Sequence, residues 1–438
     1  MILEGIQRMS IDLIIHSASQ VLTLAGAAPK RGAAQGDLAI LRDGAIAIGG
    51  ETIVAVGDTL DILALADTHT RKIDAHGKIV LPGFVDAHTH VVFAGDRANE
   101  FEMRLQGATY LDIQRAGGGI MSTVRATRAA SLDDLITQAR PRLDAMLAHG
   151  TTTAEAKTGY GLDTANELKM LAAIQALDRE HAIDLVPTFL GAHVVPEEFK
   201  GHEDQYVRLV IEEMLPAVDG RRKTADSVPP SSVTRLPSYF CDVFCDDGAF
   251  TLEQTRKILT RAKELGFGLR VHADEFANLG AAALAAELGA ASADHLMVTR
   301  REEMRAMTNA NVVAVLLPGT TFGLGKTEFA DGRAFVEENV AVALGSDINP
   351  GTCWCESMPF ILALACRYEK LTPAEAIVAA TTNAAYSLGI ADRVGSLAPG
   401  KLADVLIANV PDHAHLAYRF GANPIETVIK RGHVKIEP

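Results

Sequence analysis

The spacing of apolar residues changes twice along this chain. Up to residue 80 the apolar runs are short and separated by Gly, Asp and Thr, as in DLIIHSASQVLTL, GAIAIGG, TIVAVG and KIVLPG. Runs of this kind, with no long helical period between them, predict a small antiparallel sheet. The same pattern returns near the other end, in GSLAPGKLADVLIANV and ETVIKRGHVKI. We therefore expect residues 1–80 and 390–438 to form one discontinuous, β-sandwich-like domain from both termini.

Between residues 81 and 389 short apolar runs alternate with amphipathic segments of helical period. We identify eight candidate strands: FVDAHTH, TTTAEAK, LVPTFLGAH, CDVFCDD, LRVHADE, SADHLM, VAVLLPG and VALGSD. Alternating strands and helices predict βα units and a parallel sheet, and eight such units predict an α/β fold, a (β/α)8 TIM barrel. Capping boxes at Thr251 and Thr372 mark two of the helix starts. The polar segment 218–238, rich in Pro and Ser, predicts a long surface connection.

Composition narrows the possible functions. Of the 438 residues, 48% are hydrophobic and 22% are charged, and no apolar run is long enough to span a bilayer. The net charge of -14 argues against binding to nucleic acid, and an anionic substrate would need local Arg or Lys. The five cysteines form neither an even disulfide framework nor a CxxC array. We expect a cytoplasmic protein without a membrane partner. The sequence leaves the oligomeric state open, a homodimer being one option.

The strongest chemical signal is LPGFVDAHTHVVFAG, in which an apolar run ends in His88 and His90. Residues i and i+2 of a strand share a face, so both imidazoles can point to one place. Imidazole is the commonest protein ligand for divalent transition metals. Two unrelated polar residues at a strand end could also produce this His-x-His pattern. The residues at later strand ends favour a metal site.

Those later strands end in ionisable residues as well. His193 ends the third strand, His272 and Glu275 the fifth, His295 the sixth and Asp347 the eighth. In TIM barrels the active site lies at the carboxyl ends of the strands. We therefore predict that side chains from different strands meet there.

Three imidazoles and one carboxylate, from His88, His90, His272 and Asp347, would suit one Zn2+ or Fe ion per chain. Glu275 and His295 then remain for proton transfer and orientation. Glu275 could instead only hold a helix N-terminus, and His295 could be a hydrogen-bonding partner of Asp347.

A second ion would need a further bridging ligand, typically a modified lysine at the end of the fourth strand. CDVFCDD has no lysine there. Lys157 ends the second strand, where we expect it to pair with a carboxylate. The sequence therefore predicts a mononuclear site.

Several of these segments resemble a known family. FVDAHTH, RVHADEF, SADHL, VALGSDINPGT and GSLAPGKLADVLI are similar to the metal-dependent amidohydrolase superfamily. DRANEFEMRLQGATYLDIQRAGGGIMSTVRATR, TTTAEAKTGYGLD and TFLGAHVVPEEF resemble the imidazolonepropionase family within it. The resemblance covers nearly the whole chain. It implies a hydrolase that opens the ring of 4-imidazolone-5-propanoate with water, giving N-formimidoyl-L-glutamate, in histidine degradation.

The resemblance also implies roles for particular residues. It places the metal ligands at His88, His90, His272 and Asp347. We predict Glu275, His295 and Asp347 as the catalytic residues. The resemblance implies that the anionic small-molecule substrate contacts Arg97, Tyr110, Tyr160, His193, Glu275, Asn349, Gly351 and Thr352. A guanidinium and two phenols suit a carboxylate, whereas imidazole, amide and backbone groups suit a lactam ring. The glycines from Gly117 to Gly119 would give either a mobile loop or a tight turn.

Two other functions remain open at this point. An aminohydrolase acting on an exocyclic amine shares the HxxE pattern of His272 and Glu275. A barrel that had lost its metal could serve as a scaffold, although all four ligands, Glu275 and His295 are present. Metal analysis would separate the scaffold from both enzymes, and ammonia release would separate deamination from ring opening.

Overall fold

The computed structural model describes residues 10–226 and 239–438. Its strands are β1 Leu13–Ala18, β2 Gln20–Leu22, β3 Ile40–Leu41, β4 Gly44–Gly49, β5 Thr52–Asp58, β6 Arg71–Asp74, β7 Ile79–Pro82, β8 Phe84–Asp86, β9 Thr151–Lys157, β10 Asp184–Ala192, β11 Phe240–Cys245, β12 Gly268–Ala273, β13 Ser292–His295, β14 Val313–Leu316, β15 Val342–Leu344, β16 Val405–Ala408, β17 Ile425–Lys430 and β18 His433–Ile436.

The α-helices are α1 Thr59–Leu63, α2 Ala98–Leu105, α3 Tyr110–Arg115, α4 Ile120–Ala129, α5 Leu132–Ala148, α6 Thr164–Glu180, α7 Glu203–Leu209, α8 Leu215–Asp226, α9 Leu252–Glu264, α10 Ala281–Leu288, α11 Arg301–Ala310, α12 Pro318–Gly323, α13 Gly332–Glu337, α14 Met358–Tyr368, α15 Pro373–Ala379, α16 Thr382–Ser387 and α17 Ala414–Tyr418. Short 3-10 helices span Gly32–Gly36 and Glu197–Phe199, and a π-helix spans Val210–Met214.

Strands β8 to β15 form a nearly closed parallel barrel in which neighbours follow chain order. The seam between the first and last strands is bridged beyond their ends, where the backbone N–H of Asp347 donates to the carbonyl of His88 at 3.0 Å. All eight strands predicted from the sequence are present, so the (β/α)8 barrel is confirmed. Because the strands are parallel, their carboxyl ends meet at one mouth.

Two further sheets contain the remaining strands. One has the order β5-β4-β1-β6, and the other has the order β18-β17-β16-β7-β2-β3, which joins both ends of the chain. Leu13 and Ile46 of the first sheet and Val80, Val405 and Ile429 of the second belong to one buried apolar cluster. The two sheets therefore share a core.

The prediction of a purely antiparallel sheet in the first 80 residues is wrong. β1 pairs with β6, and β2 with β7, in parallel, so both sheets are mixed. The run KIVLPG was expected in the small terminal sheet, and its strand β7 pairs with β16 and β2 outside the barrel. The division into domains at residues 80 and 390 stays a prediction.

Several helix boundaries follow the predicted capping chemistry. Thr251 and Gln254 form a capping box, as do Thr372 and Glu375. The segment predicted as a long surface connection differs, because residues up to Asp226 belong to α8, and its remainder, 227–238, lies outside the described residues. None of the helices in residues 10–226 and 239–438 has the length and apolar character needed to cross a membrane.

Candidate active site

A cluster of buried imidazoles lies at the barrel mouth. His88 and His90 follow β8, and His272 lies on β12. The ring centroid of His88 is 4.5 Å from that of His272 and 5.3 Å from that of His90. Asp347, which follows β15, brings a carboxylate oxygen to 3.5 Å from His88 Nε2 and 3.6 Å from His90 Nε2. The four side chains named as ligands therefore converge from three strand ends.

The free nitrogens of this cluster suit a cation. His88 Nε2 and His272 Nε2 are buried and have no hydrogen-bond partner among the described residues. Burial holds the pKa values of His88 and His90 well below their usual range, so both imidazoles are neutral. A neutral ring with an unpartnered buried nitrogen is what a divalent metal needs as a ligand. The residues present thus fit a divalent metal ion.

Asp347 is held in a strained but well-supported conformation. Its φ is +52°, in the left-handed region that non-glycine residues seldom adopt. The hydroxyl of Thr320 donates to its second carboxylate oxygen. Burial raises the pKa of Asp347 to about 6, and a bound cation would lower it again by favouring the carboxylate. Strain of this kind is common at functional sites.

Glu275 and His295 lie together beside the cluster. His295 Nε2 is 3.7 Å from Glu275 Oε2, and both residues are buried. Burial, followed by the nearby charges of Asp347 and Asp246, raises the pKa of Glu275 well above its usual range. From the sequence, His295 could be a hydrogen-bonding partner of Asp347. In the described structure the carboxylate that lies near His295 Nε2 is that of Glu275. A buried carboxyl group with a raised pKa can exchange protons near neutral pH.

Arg97 lies between Glu100 and the turn after β15. Its Nε and Nη2 atoms are both 2.8 Å from Glu100 Oε2. A Cβ added at Gly351 would lie 2.2 Å from Arg97 Nη1, so only glycine leaves room for this guanidinium. Glu100 Oε1 in turn accepts the backbone N–H of Gly119 at 2.9 Å. The glycine segment is therefore a turn tied to Arg97 through Glu100.

Tyr160 and His193 form an aromatic wall next to the imidazoles. The ring of His193 stacks on that of His90 with centroids 5.1 Å apart, and Tyr160 is 5.9 Å from His90. The carbonyl of Gly159 accepts from His193 Nδ1 at 3.0 Å, and burial lowers the pKa of His193 to about 3. Nδ1 is thus the protonated nitrogen, which leaves Nε2 as an acceptor. Tyr110 is in α3, and its side chain is outside the described part of the structure.

The Asn349 side chain is occupied by its own turn. Its Oδ1 accepts the backbone N–H groups of Gly351 and Thr352, both at 2.8 Å, and its Nδ2 donates to the carbonyl of Asp347 at 2.7 Å. This arrangement fixes the turn directly after a metal-ligand candidate. A direct substrate contact from the Asn349 amide stays a prediction.

Sequence reasoning missed the charged residues immediately below the cluster. Asp294 Oδ2 is 2.7 Å from His88 Nδ1, and Asp242 Oδ2 is 2.9 Å from His272 Nδ1. Both carboxylates lie inside strands rather than at their ends. Ionisable residues in the middle of a buried strand were the available signal. Lys157 does pair with carboxylates, as predicted, through Glu155 and Asp242.

Comparison with known proteins places the chain in a family. The model of the Amidohydrolase family matches residues 79–435. An imidazolonepropionase of Herpetosiphon aurantiacus is 49% identical over 97% of this chain and 97% of its own length. An imidazolonepropionase of Symbiobacterium thermophilum is 48% identical over 98% of each. The chain belongs to the imidazolonepropionase family of amidohydrolases. It is accordingly a hydrolase of that superfamily, which excludes the scaffold alternative.

Solved structures of more distant proteins share the fold of this imidazolonepropionase family member. An adenosine deaminase from Xanthomonas campestris with bound zinc has a TM-score of 0.71 at 19% identity, covering 98% of this chain and 93% of that one. Atrazine chlorohydrolase from Arthrobacter aurescens complexed with zinc has a TM-score of 0.70 at 19% identity, covering 97% and 95%. At this identity the likeness supports the architecture alone.

Proposed function

We propose that this hydrolase adds water to 4-imidazolone-5-propanoate and opens its ring to N-formimidoyl-L-glutamate, a step of histidine degradation. One observation carries the proposal: relatives named imidazolonepropionase match the chain at 42–49% identity over nearly its full length. The site geometry agrees with it, because a buried ligand cluster, an acid-base candidate and a guanidinium lie around one mouth.

We infer that His88, His90, His272 and Asp347 hold a single divalent metal ion, zinc or iron. Such an ion acts as a Lewis acid and makes hydroxide available near neutral pH. A single ion is supported by Lys157, whose amine lies 2.8 Å from Glu155 Oε1 and 2.7 Å from Asp242 Oδ2. An amine enclosed in this way is not available for conversion to a bridging ligand.

Glu275 is the proposed proton carrier. The water oxygen bonds to the ring carbonyl carbon, and the bond from that carbon to the adjacent ring nitrogen breaks. Glu275 takes a proton from the water and passes it to the departing nitrogen, which its raised pKa favours. His295, 3.7 Å away, orients the carboxyl group.

The remaining predicted contacts would bind the substrate. Arg97 would pair with the propanoate carboxylate through the edge of its guanidinium that does not face Glu100. Tyr160 and His193 would pack against the ring and exclude water, with His193 Nε2 available to accept a ring N–H. We retain Tyr110, Gly351 and Thr352 as further proposed contacts. A cytoplasmic location, a homodimer and the absence of nucleic-acid binding remain expectations from the sequence.

The products distinguish this activity from deamination. Purified, zinc-loaded protein is incubated with 4-imidazolone-5-propanoate, and the mixture is examined by mass spectrometry and an ammonia assay. We expect a product heavier than the substrate by one water, with no ammonia. Ammonia released in proportion to substrate loss, or no reaction at all, would overturn the proposal.

A further inference from the structure

Five charged side chains lie completely buried beneath the imidazole cluster: Glu155, Lys157, Asp242, Arg270 and Asp294. Each has a side-chain exposure of 0%. Charges removed from water are costly unless paired, and a buried ion pair seldom stabilises a fold more than apolar packing would. The proposed reaction uses none of these five as a ligand or proton carrier. Their presence therefore needs another explanation.

The two cations connect the three carboxylates. Lys157 Nζ is 2.7 Å from Asp242 Oδ2 and 3.8 Å from Asp294 Oδ2. Arg270 Nη2 is 3.1 Å from Asp294 Oδ2 and donates to the carbonyl of Ala87 at 2.7 Å. Each carboxylate that faces an imidazole is thus held from below by a cation.

The carboxylates meet the imidazoles on the nitrogen that faces away from the proposed ion. Asp294 Oδ2 lies 2.7 Å from His88 Nδ1, within a hydrogen bond. Asp242 Oδ2 lies 2.9 Å from His272 Nδ1, but this contact is not a hydrogen bond in the present ring orientation. Asp242 Oδ1 accepts the backbone N–H of His272 at 3.1 Å. A role for Asp242 as acceptor requires the His272 ring to turn so that its Nδ1–H points at Asp242 Oδ2. In His88 only Nε2 lacks a hydrogen-bond partner among the described residues, whereas in His272 both ring nitrogens lack one.

The same group of charges also supports the backbone between the first two histidines. Glu155 Oε2 accepts the backbone N–H of Thr89 at 3.0 Å. Thr89 separates His88 from His90, so Glu155 fixes the strand end that carries both rings. Lys157 Nζ, 2.8 Å from Glu155 Oε1, holds that carboxylate in turn.

We propose that Lys157 and Arg270 are positioning residues that fix Asp294 and Asp242 as acceptors for the Nδ1–H groups of His88 and His272. Both rings then keep Nε2 free and aimed at the ion before it binds. This inference rests on the proposed function only in its use of a metal site. A carboxylate beneath a ligand imidazole fixes its tautomer and raises its basicity, and losing such a partner typically costs about 10- to 100-fold in metal affinity.

The chain offers a matched control in Lys430. Its amine is also buried, 3% exposed, and also joins two carboxylates, Asp184 at 2.8 Å and Asp404 at 2.6 Å. Lys430 lies on β17, which belongs to the six-stranded sheet and not to the barrel. Each lysine lies within hydrogen-bond distance of two carboxylates, and Lys157 has Asp294 as a more distant third at 3.8 Å. Only Lys157 is linked to the imidazoles.

The test measures Zn2+ affinity of the metal-free full-length protein by competition with a chromogenic chelator. We expect Lys157→Met to weaken zinc binding about 10- to 100-fold, and Lys430→Met to bind as wild type does although both variants unfold at lower temperature. The visible spectrum of the Co2+-substituted protein should change in Lys157→Met alone. Equal zinc affinities for the two variants, whether both weakened or both unchanged, would overturn the inference.

A second variant covers the case in which Lys157→Met does not fold. Asp294→Asn keeps the size of the side chain but offers His88 a weaker acceptor, and we expect it to weaken Zn2+ binding at least 10-fold. Wild-type affinity in Asp294→Asn would refute the inference. A wild-type protein that binds zinc but leaves imidazolone propanoate intact would instead refute the proposed function, so the two failures are distinguishable.

Discussion

Substitution of Arg97 tests the substrate assignment, because this side chain separates a carboxylate-bearing imidazolone from the bases used by deaminases. Its side chain is 15% exposed, and that of its partner Glu100 is 5% exposed. Charges shielded to this degree interact more strongly than a surface pair, which contributes about 0 to 1 kcal/mol. The Nε and Nη2 atoms face Glu100, and the guanidinium lies against the turn at Gly351. We propose that the remaining edge binds the propanoate.

The expected loss in kcat/KM follows from the type of hydrogen bond that Arg97 would make with the propanoate. Charge-assisted hydrogen bonds in a shielded site contribute about 1.5 to 3 kcal/mol. Since 1.36 kcal/mol corresponds to about tenfold in rate, Arg97→Lys and Arg97→Ala should lower kcat/KM by roughly 10- to 10²-fold. Lysine is expected to be a poor substitute, because one ammonium cannot pair with Glu100 and bind a carboxylate side by side.

The assay compares kcat/KM for 4-imidazolone-5-propanoate with that for an imidazolone lacking the carboxylate. We expect the second substrate to be nearly unaffected, with metal content and folding unchanged. Arg140→Lys serves as the control, because Arg140 pairs with Glu180 at 2.7 Å on the exposed surface. Equal losses in kcat/KM for the two substrates would mean that Arg97 only supports the loop. A comparable loss in Arg140→Lys would refute the argument that a shielded arginine contributes more than an exposed one.

Three further predictions concern other parts of the molecule. Glu275→Gln keeps the shape of the side chain but cannot carry a proton, so we expect normal zinc content and a loss in kcat of about 10²-fold or more; near-normal turnover would remove Glu275 from the mechanism. His272→Ala removes one of four proposed ligands and should lose both metal and activity, which elemental analysis would check. Glu369 is buried, its Oε2 has no hydrogen-bond partner among the described residues, and burial raises its pKa well above the ordinary 4.5. The folded protein therefore holds this proton where the unfolded chain releases it, so stability falls as the pH rises above about 4.5 towards the folded pKa. Glu369→Gln should remove this fall in stability with pH and raise the free energy of unfolding at neutral pH by about 1 to 3 kcal/mol. If the wild type and Glu369→Gln have equal unfolding midpoints at pH 4 and again at pH 7, the prediction is contradicted.

The barrel was predictable because its signals are local. Most of the buried parallel strands are short apolar runs bounded by turn residues. His88, His272 and Asp347 stand at strand ends, where the topology alone brings them together. The mixed pairing of β1 with β6 was not predictable in this way. Strand direction there depends on a connection that crosses the sheet, and β6, RKID, is largely exposed and polar.

The charged layer beneath the site illustrates a second limit of the sequence. Lys157 was expected to find a carboxylate, and it does, but its partner Asp242 lies 85 positions away in the sequence. The position of Asp242 and Asp294 inside buried strands marks them as unusual, but nothing local shows which side chains they contact. The register between neighbouring strands brings these carboxylates beneath the imidazoles. For example, the backbone of His272 on β12 lies opposite that of Asp294 on β13.

The central claim is that the imidazole and carboxylate cluster holds one ion on which ring opening depends. It is tested most directly by titrating Zn2+ into metal-free protein while N-formimidoyl-L-glutamate formation is measured. The account predicts no product without metal and a rate that rises linearly to one equivalent per chain and then stays constant. Product formation by the metal-free protein, or a rate that continues to rise to two equivalents, would contradict it.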